Sequence, residues 1–207
     1  MAKIPSKIVT VVIIISCVAV VLGIRAYLDA RGHLTQALPA RAKGNPKASM
    51  KITEFIDFQC PACARGSIFL SKYIEKYPDR IYLEVKYFPL GTAHRHAYRS
   101  ALYAECAARQ GRFWPFHDEL LQRQSEWEGL VDAEAFFTAA AQKVPLDMQK
   151  LDSCLKDEKV MDFIFDEKDE GSSLRIRSTP TYVIDGKIIV GTDSLGEVLK
   201  KRFGDEE

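Results

Sequence analysis

Residues 50–77 constrain this chain most tightly, because an extended segment there runs into a helix through a pair of cysteines. Met50, Ile52, Ile56 and Phe58 share one face at period two, the pattern of a strand with a buried side. Gln59 closes the strand and Cys60-Pro61-Ala62-Cys63 follows. Proline suits the first helical position, which makes Cys60 the N-cap. The helix then carries an apolar stripe through Ile68, Phe69, Tyr73, Ile74 and Tyr77 and stops at Pro78. A cysteine delivered to a helix N-terminus sits where the peptide dipoles favour an anion. A thiolate held there has a lowered pKa and is both the reactive form and the better leaving group. Cys63 lies one turn on, within bonding reach, so the pair reads as an exposed attacking sulfur and a more buried resolving one.

C-x-x-C by itself admits a redox dithiol, half of a zinc site or a structural loop. A zinc ribbon needs a second close pair. Of the five cysteines, Cys106 and Cys154 stand far apart and Cys17 lies in an apolar run. His94 and His96 are two positions apart, which on a helix divides them between faces. His117 reads as a packed or surface ring, and Phe113, Trp114 and Phe116 as core. No metal site and no organic cofactor is expected. Glu54 breaks the apolar row of the strand, and a carboxylate on a buried face is unfavourable without a use or a partner. Burial would raise its pKa and suit it as proton acceptor for the Cys63 thiol. An exposed strand end, or a lysine paired with Glu54, would also account for it.

Downstream, Ile81, Leu83, Val85 and Tyr87 alternate as a second strand. From 92 to about 173 only helical stretches follow, near 94–109, 114–124, 132–142, 147–156 and 159–170. Asp132 and Asp147 serve as N-caps, and Gly111 and Gly129 as breakers. Residues 181–184 and 187–190 then form a hairpin through Asp185-Gly186, a type I′ turn signal, and 194–203 a last helix. The order is β-α-β, helices, β-β-α, in which a helix joins a parallel strand pair.

Several segments together resemble the DsbA-like thiol:disulfide oxidoreductases of the thioredoxin superfamily, across nearly all of residues 48–203. They are Glu54-Phe55-Ile56-Asp57-Phe58-Gln59-Cys60-Pro61-Ala62-Cys63; Phe88-Pro89-Leu90 with residues 94–104; Glu105-Cys106-Ala107 with Gly111-Arg112-Phe113-Trp114 and Phe116-His117; and Thr179-Pro180-Thr181-Tyr182-Val183-Ile184-Asp185-Gly186-Lys187. The resemblance implies an α/β thioredoxin fold over 49–91 and 174–204, with an inserted all-helical domain over 92–173. It implies Cys60 as nucleophile, Cys63 as its partner in a redox-active disulfide, and Pro180 as a cis-proline packed against them. Glu54 matches the family's buried acidic position. A cis bond leaves Thr179 free to present its backbone to an extended substrate, with main-chain pairing of low sequence preference. Cys106 and Cys154 are expected to form a structural disulfide, as in some relatives; two buried free thiols are the other outcome.

The front of the chain is a different object. Residues 8–24 form a run of 17 without a charge, preceded by Lys3 and Lys7. As a helix the run would be roughly 25 Å long, near the lower limit for crossing a bilayer. A retained signal anchor over 1–25 is the favoured reading, ahead of a cleaved signal peptide and a lipoprotein signal at Cys17. Residues 26–48, with Gly32, Pro39, Gly44 and Pro46, read as a linker. Residues 1–47 carry a net charge of +6 within a whole-chain +1, so the body is mildly acidic, which gives no support for nucleic-acid binding. With 47% apolar residues it can bury a core.

The expectation is therefore a single-pass membrane protein with its catalytic domain on the periplasmic or extracellular side, where cysteine pairing persists. It would introduce disulfides into unfolded or reduced exported proteins. The resemblance implies reoxidation by a quinone-linked membrane partner of the DsbB or VKOR type. A reductase or isomerase kept reduced by a membrane donor is the alternative, and a non-catalytic thioredoxin-like binding module a further one.

Overall fold

The structure, a computed structural model, describes residues 39–204 together with Ala19 and Val20. The charge-free run and the expected anchor, Cys17 included, otherwise lie outside the described residues. Among the described residues no helix is long and apolar enough to cross a membrane.

A five-stranded sheet has the order β1-β3-β2-β4-β5, built from β1 (Ala42–Gly44), β2 (Met50–Ile56), β3 (Ile81–Tyr87), β4 (Thr181–Ile184) and β5 (Lys187–Val190). β2 and β3 run parallel, joined by α1 (Pro61–Lys76), because parallel neighbours need a crossover rather than a tight turn. The other pairs are antiparallel. Both edge strands are short, which limits the unpaired backbone they offer to other chains. Asp185 and Gly186 both take positive φ, +50° and +75°, as the β4–β5 hairpin requires.

Between β3 and β4 come α2 (Ala97–Ala108), α3 (Phe113–Gln122), α4 (Gln124–Trp127), α5 (Glu134–Lys143), α6 (Met148–Leu155) and α7 (Glu158–Ser173); α8 (Gly191–Phe203) ends the fold. Asp147 caps α6, accepting from the amides of Gln149 and Lys150. Asp132 stands one residue before the observed cap Ala133 and instead accepts from the Glu134 amide. The apolar face of α1 is Cys63, Gly66, Leu70, Tyr73 and Ile74, whereas Ile68, assigned to that stripe from sequence, is 55% exposed. The buried face keeps helical spacing from Cys63, and Ile68 falls off that spacing.

Met50, Ile52 and Ile56 on the sheet share one continuous core with Leu70 and Tyr73 of α1, Leu195 and Leu199 of α8, and the insertion residues Ala104, Phe116, Trp127 and Phe137. The inserted helices share this core with the sheet, and residues 39–204 fall in one compact unit. On β2, Phe55 packs with Phe88 and Ile176 in a second, smaller cluster, closed by Gly171 of α7.

The linker assigned to 26–48 extends too far. Residues 39–41 form a 3-10 turn and residues 42–44 pair with β3. Gly44, at φ +89°, brings its backbone so close to the Ile81 carbonyl that a Cβ there would collide. Arg41, which the sequence placed in the linker, is fully buried. Its Nη1 and Nη2 each donate to Glu167 of α7 at 2.8 Å, and Nη1 also donates to the Val85 carbonyl at 3.1 Å. Partners more than forty residues away decide its place, which a local reading of charge and turn residues does not reveal.

Candidate active site

β2 ends at Ile56, and Asp57-Phe58-Gln59 turn the chain into α1. Cys60 is the N-cap with extended backbone (φ −79°, ψ 118°), and Pro61 takes the first helical turn. The Cys60 carbonyl accepts from the amides of Cys63 at 3.0 Å and Ala64 at 3.4 Å, which fixes the two cysteines one turn apart. Both are free thiols here, so the structure holds the reduced form of the pair. Cys60 keeps 8% of its surface exposed and Cys63 none. Cys60 is therefore less open than the sequence suggested, because the Thr179 carbonyl comes from the far end of the chain to lie against its sulfur. The Thr179–Pro180 bond is cis.

Electrostatics separate the two sulfurs. Hydrogen bonding from the Cys63 thiol outweighs burial and, with the Thr179 hydroxyl and the amides of Cys63 and Ala62, brings Cys60 down from 9.0 to about 5. The sequence pointed to the amides of the helix N-terminus; the structure adds the neighbouring thiol as the leading donor. The Cys63 thiol is pushed well up, first by burial and then by its bond to Cys60 and the charge of Cys60. Thr179 faces Cys60 with two groups. Its carbonyl accepts from the Cys60 thiol at 3.3 Å, and its buried hydroxyl, without a well-formed hydrogen bond elsewhere, is a donor for the ionised sulfur.

Glu54 is 1% exposed and carries no ion pair among the described residues, so neither an open strand end nor a lysine partner accounts for it. Burial pushes its carboxyl up to about 7, offset in part by the Tyr182 hydroxyl. Tyr182 of β4 sits opposite Glu54 in the strand register, yet Glu54 Oε1 and Tyr182 Oη lack a well-formed hydrogen bond. Glu54 in turn adds its charge to the upward pressure on Cys63. Gly66 lets α1 settle against this group: a Cβ there would lie 2.5 Å from Tyr182 Oη and 3.4 Å from Pro180.

Sequence reasoning missed the clamp that holds the loop before Cys60. Gln124 Nε2 donates to the carbonyls of Phe58 at 2.6 Å and Cys60 at 3.1 Å. Gln59 Nε2 donates to the Glu128 carbonyl at 2.7 Å, and its Oε1 accepts from the His96 amide at 2.6 Å. Asp57 accepts from the amides of Gln59 and Leu90, and lies 2.8 Å from His94 Nδ1. In the loop before α2, the His94 ring meets the Asp57 carboxylate, and the His96 ring lies 2.8 Å from the Leu130 carbonyl through Nε2. Asp57 and Gln59, polar residues on either side of Phe58 just before the C-x-x-C, were the available sign of this clamp; Gln124 carried none.

Cys106 of α2 and Cys154 of α6 are joined by a disulfide, with Cα atoms 5.8 Å apart. Among the described residues no group of three or more His, Cys, Asp or Glu is arranged to hold a metal ion.

A family model described as Thioredoxin matches residues 37–201. The Na(+)/H(+) antiporter NhaA 1 of Mycolicibacterium gilvum is 28% identical over 145 residues, which are 70% of this chain and 23% of that protein. The chain spans under a quarter of the length of the curated relatives it matches first. The probable disulfide bond formation protein D of Bacillus anthracis is 24% identical over 166 residues, 77% of this chain and 76% of that protein. The thiol-disulfide exchange protein alpha-DsbA2 from Wolbachia pipientis superposes with a TM-score of 0.67 at 21% identity, covering 86% of this chain and 91% of that one. With the match running through both halves of the sheet and the helices between them, this chain belongs to the thioredoxin family and has the fold of its DsbA-like members.

Proposed function

We propose that this protein is an exported thiol:disulfide oxidoreductase working in the oxidising direction. The observation that carries the reading is the unlike placement of two neighbouring sulfurs: Cys60 at a helix N-cap facing the Cys63 thiol and Thr179, which bring it down to about 5, and Cys63 fully buried, which pushes it up. A substrate thiolate attacks Cys60 of the Cys60–Cys63 disulfide, and Cys63 leaves and takes a proton from Glu54. A second substrate thiol then attacks the mixed disulfide, and Cys60 departs as a thiolate. An ionised Cys60 stabilises the reduced protein, which makes the disulfide a stronger oxidant. The Thr179 carbonyl and the edge of Pro180 offer an extended substrate a main-chain partner.

The Cys106–Cys154 bond supports an oxidising compartment, and the charge-free run of residues 8–24 supports export with retention as an anchor. Reduced exported proteins are the substrates. A quinone-linked membrane partner accepts the electrons, and its identity rests on the family resemblance. The name of the Bacillus relative, a disulfide bond formation protein, agrees with this direction.

The test is the reduction potential of the Cys60–Cys63 couple, together with the pH profile of Cys60 alkylation. The expected potential is well above the roughly −270 mV of reducing thioredoxins, with an alkylation midpoint near pH 5. A potential near that of thioredoxin, with Cys60 titrating as an ordinary thiol, would overturn the oxidising role.

A further inference from the structure

If Glu54 exchanges protons with Cys63, those protons need a way to solvent, and Glu54 itself is enclosed. It lines a cavity of about 20 Å³ shared with Lys43, Ser67, Ser71, His117 and Asp118. One water needs roughly 10–15 Å³ and polar partners. Glu54 Oε1 and His117 Nε2 are both buried without a well-formed hydrogen bond. His117 is 2% exposed, and its Nδ1 lies 2.8 Å from Asp118 Oδ1. Trp114, Phe113 and Phe58 pack around the ring at centroid distances of 5.1, 5.5 and 5.8 Å, which hold its plane. The Asp118 side chain is 49% exposed, so the pair spans from the cavity to solvent.

We propose that His117, oriented by Asp118, is the outlet of the Glu54 proton route, passing protons between Glu54 and solvent across a cavity water. The proposal rests on Glu54 being the proton partner of Cys63. His117 acts through Glu54 and touches neither sulfur, so it is a positioning residue. The charged and titratable groups around Glu54 are Cys63 of α1 and Tyr182 of β4, with Lys43 of β1 and His117 and Asp118 of α3 across the cavity.

When a substrate thiolate attacks Cys60, the substrate–Cys60 bond forms, the Cys60–Cys63 bond breaks, and Cys63 leaves with the electron pair. Glu54 protonates Cys63. In one relay His117 Nε2 passes its proton to Glu54 through the cavity water while Nδ1 takes one from Asp118, which takes one from solvent, so the ring stays neutral and ends with its proton on Nδ1. In the reverse step, in which Cys63 resolves the mixed disulfide, each transfer runs backwards.

The full chain, oxidised, is mixed with a reduced peptide dithiol, and the single-turnover rate is followed from pH 5 to 9 for wild type, His117→Gln, Asp118→Asn and Glu54→Gln. His117→Gln is expected to slow turnover at pH 7 by about ten-fold or more, within reach of a lost acid–base group. Cys60 alkylation should stay as in wild type. If His117→Gln keeps the wild-type profile while Glu54→Gln is slow, the proposal falls and Glu54 keeps its role. If Glu54→Gln is also as fast as wild type, both fall. A slow His117→Gln with altered Cys60 alkylation marks a packing role and overturns the proposal. Should His117→Gln fail to fold, Asp118→Asn at its half-exposed position decides, and a wild-type profile there overturns it.

Discussion

Arg41 before the first strand and Glu54 in the central strand are both buried, yet Arg41 has two carboxylates against it and Glu54, among the described residues, has no ion pair. Glu167 takes both guanidinium nitrogens of Arg41, donated by Nη1 and Nη2, and also accepts from the Tyr87 amide at 2.9 Å. Glu105 stands 3.5 Å from Arg41 Nε and accepts from Tyr87 and Arg109. Burial still pushes the Glu167 carboxyl up, but Arg41 and the Tyr87 amide work against it. Against Glu54 stands the Tyr182 hydroxyl, without a well-formed hydrogen bond to Oε1. Among the described residues, the buried side-chain atoms lacking a hydrogen bond are Arg41 Nε, Glu54 Oε1, His117 Nε2, Thr179 Oγ1 and Tyr182 Oη. The last four surround the cysteines or the cavity that reaches Glu54. Buried charge that joins elements is paired; buried polarity that serves chemistry is left with protons and lone pairs to exchange.

Removing one partner from the paired region should have the largest effect. Arg41→Ala leaves Glu167 buried without its arginine and Glu105 with Arg109 alone, and should cost about 3–5 kcal/mol in urea unfolding. The Cys60 alkylation profile should stay unchanged; a variant of wild-type stability would show that this network holds nothing together.

Glu54→Gln sharpens the other side. Folding raises the Glu54 carboxyl from 4.5 to about 7, so the stability linked to its proton is complete below pH 4.5 and lost as pH rises through 7. Relative to Glu54→Gln, the wild type should lose about 3 kcal/mol between pH 4 and pH 8. Parallel unfolding curves at both pH values would mean that Glu54 is not buried as an acid.

The smallest effect is expected where the helices clamp the loop. Gln124→Leu strips the Phe58 carbonyl of its side-chain donor and should cost about 1–2 kcal/mol. It should also raise the alkylation midpoint of Cys60, whose carbonyl shares that donor. An unshifted midpoint would confine Gln124 to stability.

Short-range pattern alone carried a good part of this. Alternation over β2 and β3, Pro61 after Cys60, the Asp185-Gly186 turn and the Asp147 cap each depend on residues a few positions apart, where periodicity and backbone preference speak directly. The place of Pro180 beside Cys60 came from resemblance, since nothing local brings two segments separated by more than a hundred residues together. Only the packed chain put Arg41 inside the sheet, Gln124 against the Cys60 carbonyl, and His117 and Glu54 on one cavity. Those contacts join distant segments, and their effect depends on excluding water, which turns a solvated arginine into a buried ion pair and an ordinary carboxyl into one near 7.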